Sequence, residues 1–242
     1  MNNTPSSERR VGPVVTGWSQ PDAPFPGILT GTSVQLERLE AEKHAALLFR
    51  AFEGHDHVWD YLPYGPFSSA SQYYRWAREA QEMTDTVFYA IKNLDTGAFE
   101  GVASYLRIAP QSGSIEVGHF NMSPALQNTR AATEAMYLMM AWAFEAGYRR
   151  YEWKCDALNM PSRRAAQRLG FSYEGVFRQA TIVKNRNRDT AWFAAIDLEW
   201  PALKEAFAAW LNPSNFDSDG RQIERLSDLT RLVRPNDDPT QT

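Results

Sequence analysis

Residues 123–145 read SPALQNTRAATEAMYLMMAWAFE. A Ser-Pro turn passes through a short polar loop into a strongly apolar helix. A strand-like run precedes it, residues 114–120 (SIEVGHF), and another follows, residues 150–156 (RYEWKCD). Strand, loop, helix, strand is the pattern of a parallel strand pair with a crossover helix. The loop's backbone N–H groups fall at the helix N-terminus, where the partial positive charge favours an anion. The stretch therefore reads as a phosphate-holding element, with the rest of the chain arranged to bring a second molecule beside it.

Toward the N-terminus, residues 100–108 and 87–92 (VFYAIK) are strands joined by turns at 93–97 and 111–113, so three antiparallel strands lead into the central stretch. Ser69 caps a helix over 70–83, and a helix over 41–52 places Ala45, Leu48 and Phe52 near one face. Between them lies a loop dense in aromatics, residues 54–66. Residues 33–38 form the first strand. Residues 1–30, rich in Pro, Gly, Ser and Asn, read as an extended arm lying on the domain or partly disordered. Toward the C-terminus, a strand over 150–157 leads to a short helix over 163–169, stopped by Gly170. Two long strands, 171–179 and 190–197, are joined by a polar turn at 184–189, and a helix covers 200–210. Residues 31–211 thus form one α/β domain with a mixed sheet, antiparallel at first, with a parallel pair at its centre. Residues 212–242 add a linker, a small helix carrying Ile223, Leu226, Leu229 and Leu232, and a tail, PNDDPTQT, expected to be flexible.

Composition narrows the function classes. The chain has 242 residues, enough for one large domain with additions. A net charge of -4 gives no electrostatic case for non-specific nucleic-acid binding. One cysteine, Cys155, leaves no internal disulfide, and no apolar run approaches a membrane span. The N-terminal residues carry no secretory pattern, which makes the cytoplasm the default location. Histidines and acids at 55–57 have no partner cluster that would suggest a metal.

The ordered motifs resemble the GNAT N-acetyltransferase superfamily, and within it the Rim-type branch of ribosomal-protein N-terminal acetyltransferases and relatives acting on small amines. The resemblance covers roughly residues 31–198. It rests on Ile115-Glu116-Val117-Gly118-His119-Phe120, on Gln127 to Ala135, on Asn159-Met160-Pro161-Ser162, on Arg168-Leu169-Gly170-Phe171 and on Glu174-Gly175. It implies a GNAT-like acyl-CoA N-acyltransferase fold whose parallel pair splays apart, with acetyl-CoA as co-substrate. Gln127, Asn128, Thr129, Arg130, Ala131 and Ala132 would cradle the pyrophosphate, and the edge near Asn121 and Met122 would bond the pantetheine amides. The family's loop is Gln/Arg-x-x-Gly-x-Gly/Ala, and here the first glycine is Arg130. Glycine permits positive φ and close approach. Arg130 must therefore fit an ordinary φ or mark a loosened site, and its guanidinium is itself a phosphate partner.

Acetyl transfer to an amine needs a base, donors for the carbonyl oxygen and an acid for the departing sulfur. The resemblance implies Glu116 as base. By strand alternation Glu116 faces away from Ile115 and Val117, and His119, the second candidate, falls on the opposite face. A glutamate that some Rim-type members carry later, after the Glu-Gly strand, is Thr181 here. Ser162 is the proton donor implied for the sulfur, and Asn159 a pantetheine contact; both also suit a plain helix cap. Cys155 reads as a small core residue. Asp56, His57, Trp59, Tyr61 and Tyr64 are candidates for the acceptor wall, or for a loop packed on its own aromatics. Arg178, Lys184, Arg186 and Arg188 make the late hairpin basic, suiting the adenosine 3′-phosphate, an acidic acceptor, RNA or solvent. The reading is an N-acetyltransferase acting on a primary amine in a ternary complex. The amine is a protein N-terminus or, alternatively, a small molecule or antibiotic. A non-catalytic acyl-CoA sensor is the other class, and a homodimer is compatible with either.

Overall fold

The strand VFYAIKN, β3 (Val87–Asn93), is apolar at nearly every position because both faces of the sheet are covered. In the computed structural model, which describes residues 11–21 and 26–241, Tyr89 and Ile91 face one apolar cluster while Phe88 and Ala90 face another. Eight strands form one sheet. The others are β1 (Ile28–Thr30), β2 (Val34–Arg38), β4 (Phe99–Ala109), β5 (Ser114–Met122), β6 (Arg150–Asp156), β7 (Ser172–Val183) and β8 (Arg186–Ile196). Their spatial order is β1-β2-β3-β4-β5-β6-β8-β7. All neighbours are antiparallel except β5 and β6, the parallel pair expected from the flanks of residues 123–145.

Helices α1 (Ala41–Phe52) and α2 (Ala70–Glu82) cover one face. Helices α3 (Arg130–Glu145) and α5 (Trp200–Leu211) cover the other. α3 is apolar nearly all round because it lies between the sheet and α5, with Phe144 against Trp200 (5.1 Å) and Tyr137 against Phe207 (5.1 Å). Its buried Glu134 is held by the turn between β1 and β2, accepting hydrogen bonds from Thr32 N, Ser33 N and Ser33 Oγ at 2.6–2.7 Å. Gly31 allows that approach: a Cβ there would stand 2.5 Å from the Glu134 carboxyl carbon. The helices α4 (Met160–Arg168) and α6 (Leu226–Arg231) pack together below α5.

The architecture departs from the sequence reading at its margins. Residues 28–30, assigned to the arm, form an edge strand on β2. The described part of the arm is pinned by Trp18, whose Nε1 donates to Gly147 O (2.9 Å) under the Arg149 guanidinium. Residues 1–10 and 22–25 lie outside the described residues. The late hairpin is longer than expected, because Lys184 and Asn185 both take positive φ (49° and 61°) and make a two-residue turn where a six-residue one was read. The tail over 235–242 was expected to be flexible, and its described residues, 235–241, are held instead. Asp238 is buried and paired with Arg163 through Nη2 (2.6 Å) and Nε (2.7 Å), and its N–H donates to Gln167 Oε1 (2.9 Å). Among the described residues no helix is long and apolar enough to cross a membrane.

Removing one partner of a buried ion pair leaves the other charge desolvated and unpaired. Asp238→Ala should therefore lower the unfolding free energy by about 3–5 kcal/mol, measured by urea denaturation. A freely moving tail would give no change.

Candidate active site

The site begins where β5 and β6 part. Their ladder runs from Ser114–Arg150 to Val117–Trp153 and stops, although β5 continues to Met122 and β6 to Asp156. Beyond that point the edge of β5 facing β6 has no partner strand. Phe120 and Trp153 fill the fork, their rings 4.3 Å apart. A groove of about 1200 Å³ opens on one side and a cavity of about 620 Å³ on the other, and Phe120 lines both.

The groove runs from Met122 and Trp153 along the loop before α3. Asn128, Thr129, Arg130 and Ala132 line it. Several amides here are used within the protein. Gln127 N donates to Ser123 O, Thr129 N to Leu126 O, and Ala132 N to the capping Thr129 Oγ1 (3.0 Å). The Gln127 side chain is also engaged, donating to Met122 O (2.9 Å). The N–H groups of Asn128, Arg130 and Ala131 make no hydrogen bond among the described residues, so half of the expected six-residue cradle is free to meet an anion. Arg130 begins the helix, and the left-handed residue is Asn128 (φ 60°), two positions earlier. The arginine thus costs the backbone nothing. Asn121 is buried on β5 with its Nδ2 lacking any partner, and it lines neither the groove nor the cavity. The free amides and the Arg130 guanidinium fit a coenzyme A diphosphate.

The cavity gathers the titratable groups. A β-bulge in β5 places one extra residue between the pairs Ser104–Gly118 and Val102–Asn121. His119 sits in it with φ 49°, so the alternation breaks and His119 lines the same cavity as Glu116 rather than the opposite face. A second bulge, in β4, aims Arg107 (φ 45°) at Glu116. The Glu116 carboxylate is buried between Arg107 Nη1 (2.6 Å) and Lys154 Nζ (2.7 Å). The lysine contact lacks hydrogen-bond alignment and is a Coulombic one. Lys154 also covers the Trp192 ring at 3.7 Å and reaches Glu152 (2.8 Å).

His119 Nδ1 lies 3.1 Å from the Tyr64 hydroxyl, the two rings stacked. Burial, aided by the Arg107 and Arg188 charges, pulls its pKa down to about 4. It is neutral at pH 7. Ser162 Oγ accepts from Trp153 Nε1 (3.1 Å), and burial pushes the Cys155 thiol, which lines the same cavity, up to about 11. Asn159 caps α4 through Oδ1 to Ser162 N (3.1 Å) and also lines the cavity, so the structural and functional roles coexist. Two donors on β8, Arg188 Nε and Trp192 Nε1, are buried without an acceptor.

The aromatic loop is divided. Tyr61 lines the cavity, and Tyr64 backs it through His119. Trp59 is core, packed on Phe52 (5.1 Å) and Phe67 (5.2 Å), while Asp56 and His57 are exposed and away from the cavity. The hairpin of β7 and β8 supplies the facing wall, including Thr181, and its tip closes over the loop through Lys184 Nζ to Trp59 O (2.8 Å). Lys154 and Trp192, absent from the sequence candidates, are central. Their strand alternation with Cys155 and Ala191 was the available signal.

A family model described as an acetyltransferase (GNAT) domain matches residues 34–172. The chain belongs to the GNAT acetyltransferase family. A GCN5-related N-acetyltransferase from Brucella melitensis is 42% identical with a TM-score of 0.87, over 90% of this chain and 100% of that one. A probable GNAT-family acetyltransferase from Chromobacterium violaceum is also 42% identical (TM-score 0.76), over 80% and 98%. A Salmonella typhimurium enzyme that modifies the N-terminal serine of a 50S ribosomal subunit protein shares the fold at 19% identity and TM-score 0.60, over 70% of this chain and 98% of that one. No curated protein matches the chain.

A histidine with folded pKa near 4 and an ordinary value of 6.5 leaves the unfolded chain binding the extra proton between those limits. Stability is then lost as pH falls from 6.5 toward 4. Urea unfolding of the wild type should lose about 3 kcal/mol more than His119→Gln between pH 7 and pH 4. Parallel curves for the two proteins would refute the assignment.

Proposed function

We propose that the protein is an acetyl-CoA-dependent N-acetyltransferase that acylates a primary amine by direct attack in a ternary complex. The observation that carries this is the fork. The acyl carrier's groove and the cavity of titratable groups meet only at Phe120, where β5 has left β6. The free amides of Asn128, Arg130 and Ala131 hold the diphosphate, and the open edge near Asn121 and Met122 takes the pantetheine amides. The thioester carbon then lies at the fork and the amine in the cavity.

The amine nitrogen forms a bond to the acetyl carbon as the carbon–sulfur bond breaks. The nitrogen gives up a proton toward Glu116, through water and with Arg107 and Lys154 stabilising the carboxylate. Arg188 Nε and Trp192 Nε1 offer donors to the carbonyl oxygen as it gains charge. Ser162, whose oxygen already accepts from Trp153, supplies a proton to the sulfur. Cys155 remains a protonated thiol and forms no acyl intermediate.

The acceptor is a peptide N-terminus or a small-molecule amine. The hairpin tip joined to Trp59 O narrows the cavity to about 620 Å³ and favours a small amine as the second reading. Acetyl-CoA incubated with the protein and pools of amines and N-terminal peptides should release free thiol, with an acetylated product identified by mass. Glu116→Gln and Ser162→Ala should each lower kcat by roughly 10²-fold while CoA affinity changes little. Tight CoA binding with no product from any pool would instead assign a non-catalytic acyl-CoA sensor.

A further inference from the structure

The family domain ends at residue 172, but the cofactor groove does not. Its outer wall comes from the segment after α5, including Phe216, Arg221 and Arg225. This segment has a defined shape. Asn215 is buried, its Nδ2 donating to Trp210 O (3.1 Å) and Glu224 O (3.2 Å) and its Oδ1 accepting from Glu224 N (2.8 Å). A bridge between Phe216 and Gln222 closes the loop, and Trp210 Nε1 donates to Gln222 Oε1 (2.8 Å). The loop is also fastened to the domain. The Arg130 guanidinium lies over Phe216 (5.1 Å) and that of Arg168 over Trp210 (5.0 Å).

Charge is distributed unevenly around this groove. Five arginines line it, Arg130, Arg164, Arg168, Arg221 and Arg225, against one carboxylate, Asp95. None of the five is within 4 Å of a carboxylate among the described residues, whereas eight ion pairs occupy other arginines. In a chain of net charge -4, that grouping suits a strongly anionic ligand. The basic hairpin of β7 and β8 does not serve this end, since its Arg188 lines the other cavity.

Resting on the cofactor reading above, the acyl end occupies the fork and the diphosphate meets the start of α3. One end of the ligand then remains for the appended segment, the nucleotide with its 3′-phosphate. We propose that residues 212–225 form a clamp for that end, in which Arg221 and Arg225 read the 3′-phosphate and make the protein selective for CoA over 3′-dephospho-CoA. Guanidinium groups suit a phosphomonoester because they donate in a planar fork.

Isothermal titration of the full chain with CoA and with 3′-dephospho-CoA tests the clamp. The wild type should bind CoA about ten- to hundredfold more tightly. Arg221→Ala/Arg225→Ala should lose that factor for CoA and change dephospho-CoA affinity less than about twofold, with Arg221→Lys/Arg225→Lys restoring part of it. Both side chains are exposed, so the ligand-free melting temperature should not move. Equal wild-type affinity for the two ligands, or equal losses for both in the double variant, would overturn the clamp and leave the transferase reading standing. A wild type that binds neither ligand would overturn both.

Discussion

Backbone N–H and C=O groups taken out of water must find partners, and a strand that leaves its neighbour abandons a row of them. β5 does this after Val117. The ladder with β6 ends there, Phe120 and Trp153 wedge the gap, and the free edge runs on to Met122. A ligand with its own amides answers that edge without disturbing the sheet. The groove, the cavity and the position of α4 all follow from this parting. It is held open from below by α3, whose apolar girth requires cover from both the sheet and α5.

The two halves of the site are finished by different means. On the side of the cavity, bulges do the aiming. One extra residue in β5 turns His119 into the cavity beside Glu116, and one in β4 brings Arg107 onto the same carboxylate. The charges then form a chain across the sheet, from exposed Arg107 through buried Glu116 and Lys154 to Glu152, Arg150 and exposed Glu174. On the side of the groove the additions follow the family domain, and the buried pair of Arg163 and Asp238 keeps the end of the chain against α4.

Much of this was legible in the residues. The parallel pair, the α3 crossover, the antiparallel strands before it and the Asn159 cap all follow from local pattern. What was not legible depended on long-range register. Strict alternation assigned His119 to the wrong face because the bulge depends on the register with β4, and Gly118 beside it does not by itself announce one. The hairpin turn was read too long because Lys184 and Asn185 carry no glycine yet adopt positive φ. Trp59 looked like a site residue and is core, since an aromatic in a loop gives no sign of which way it packs. Asp238 looked like part of a solvated tail, and only the approach of Arg163, 75 positions earlier, buries it.

The start of α3 bears on protein engineering. Restoring the family's glycine in place of Arg130 would look like a repair. The residue is already helical, however, and the left-handed turn is supplied by Asn128. A glycine would add backbone freedom at about 0.5–1 kcal/mol and withdraw the guanidinium from the ring of Phe216. A swap of the loop alone would therefore also loosen the C-terminal segment that Arg130 holds through Phe216.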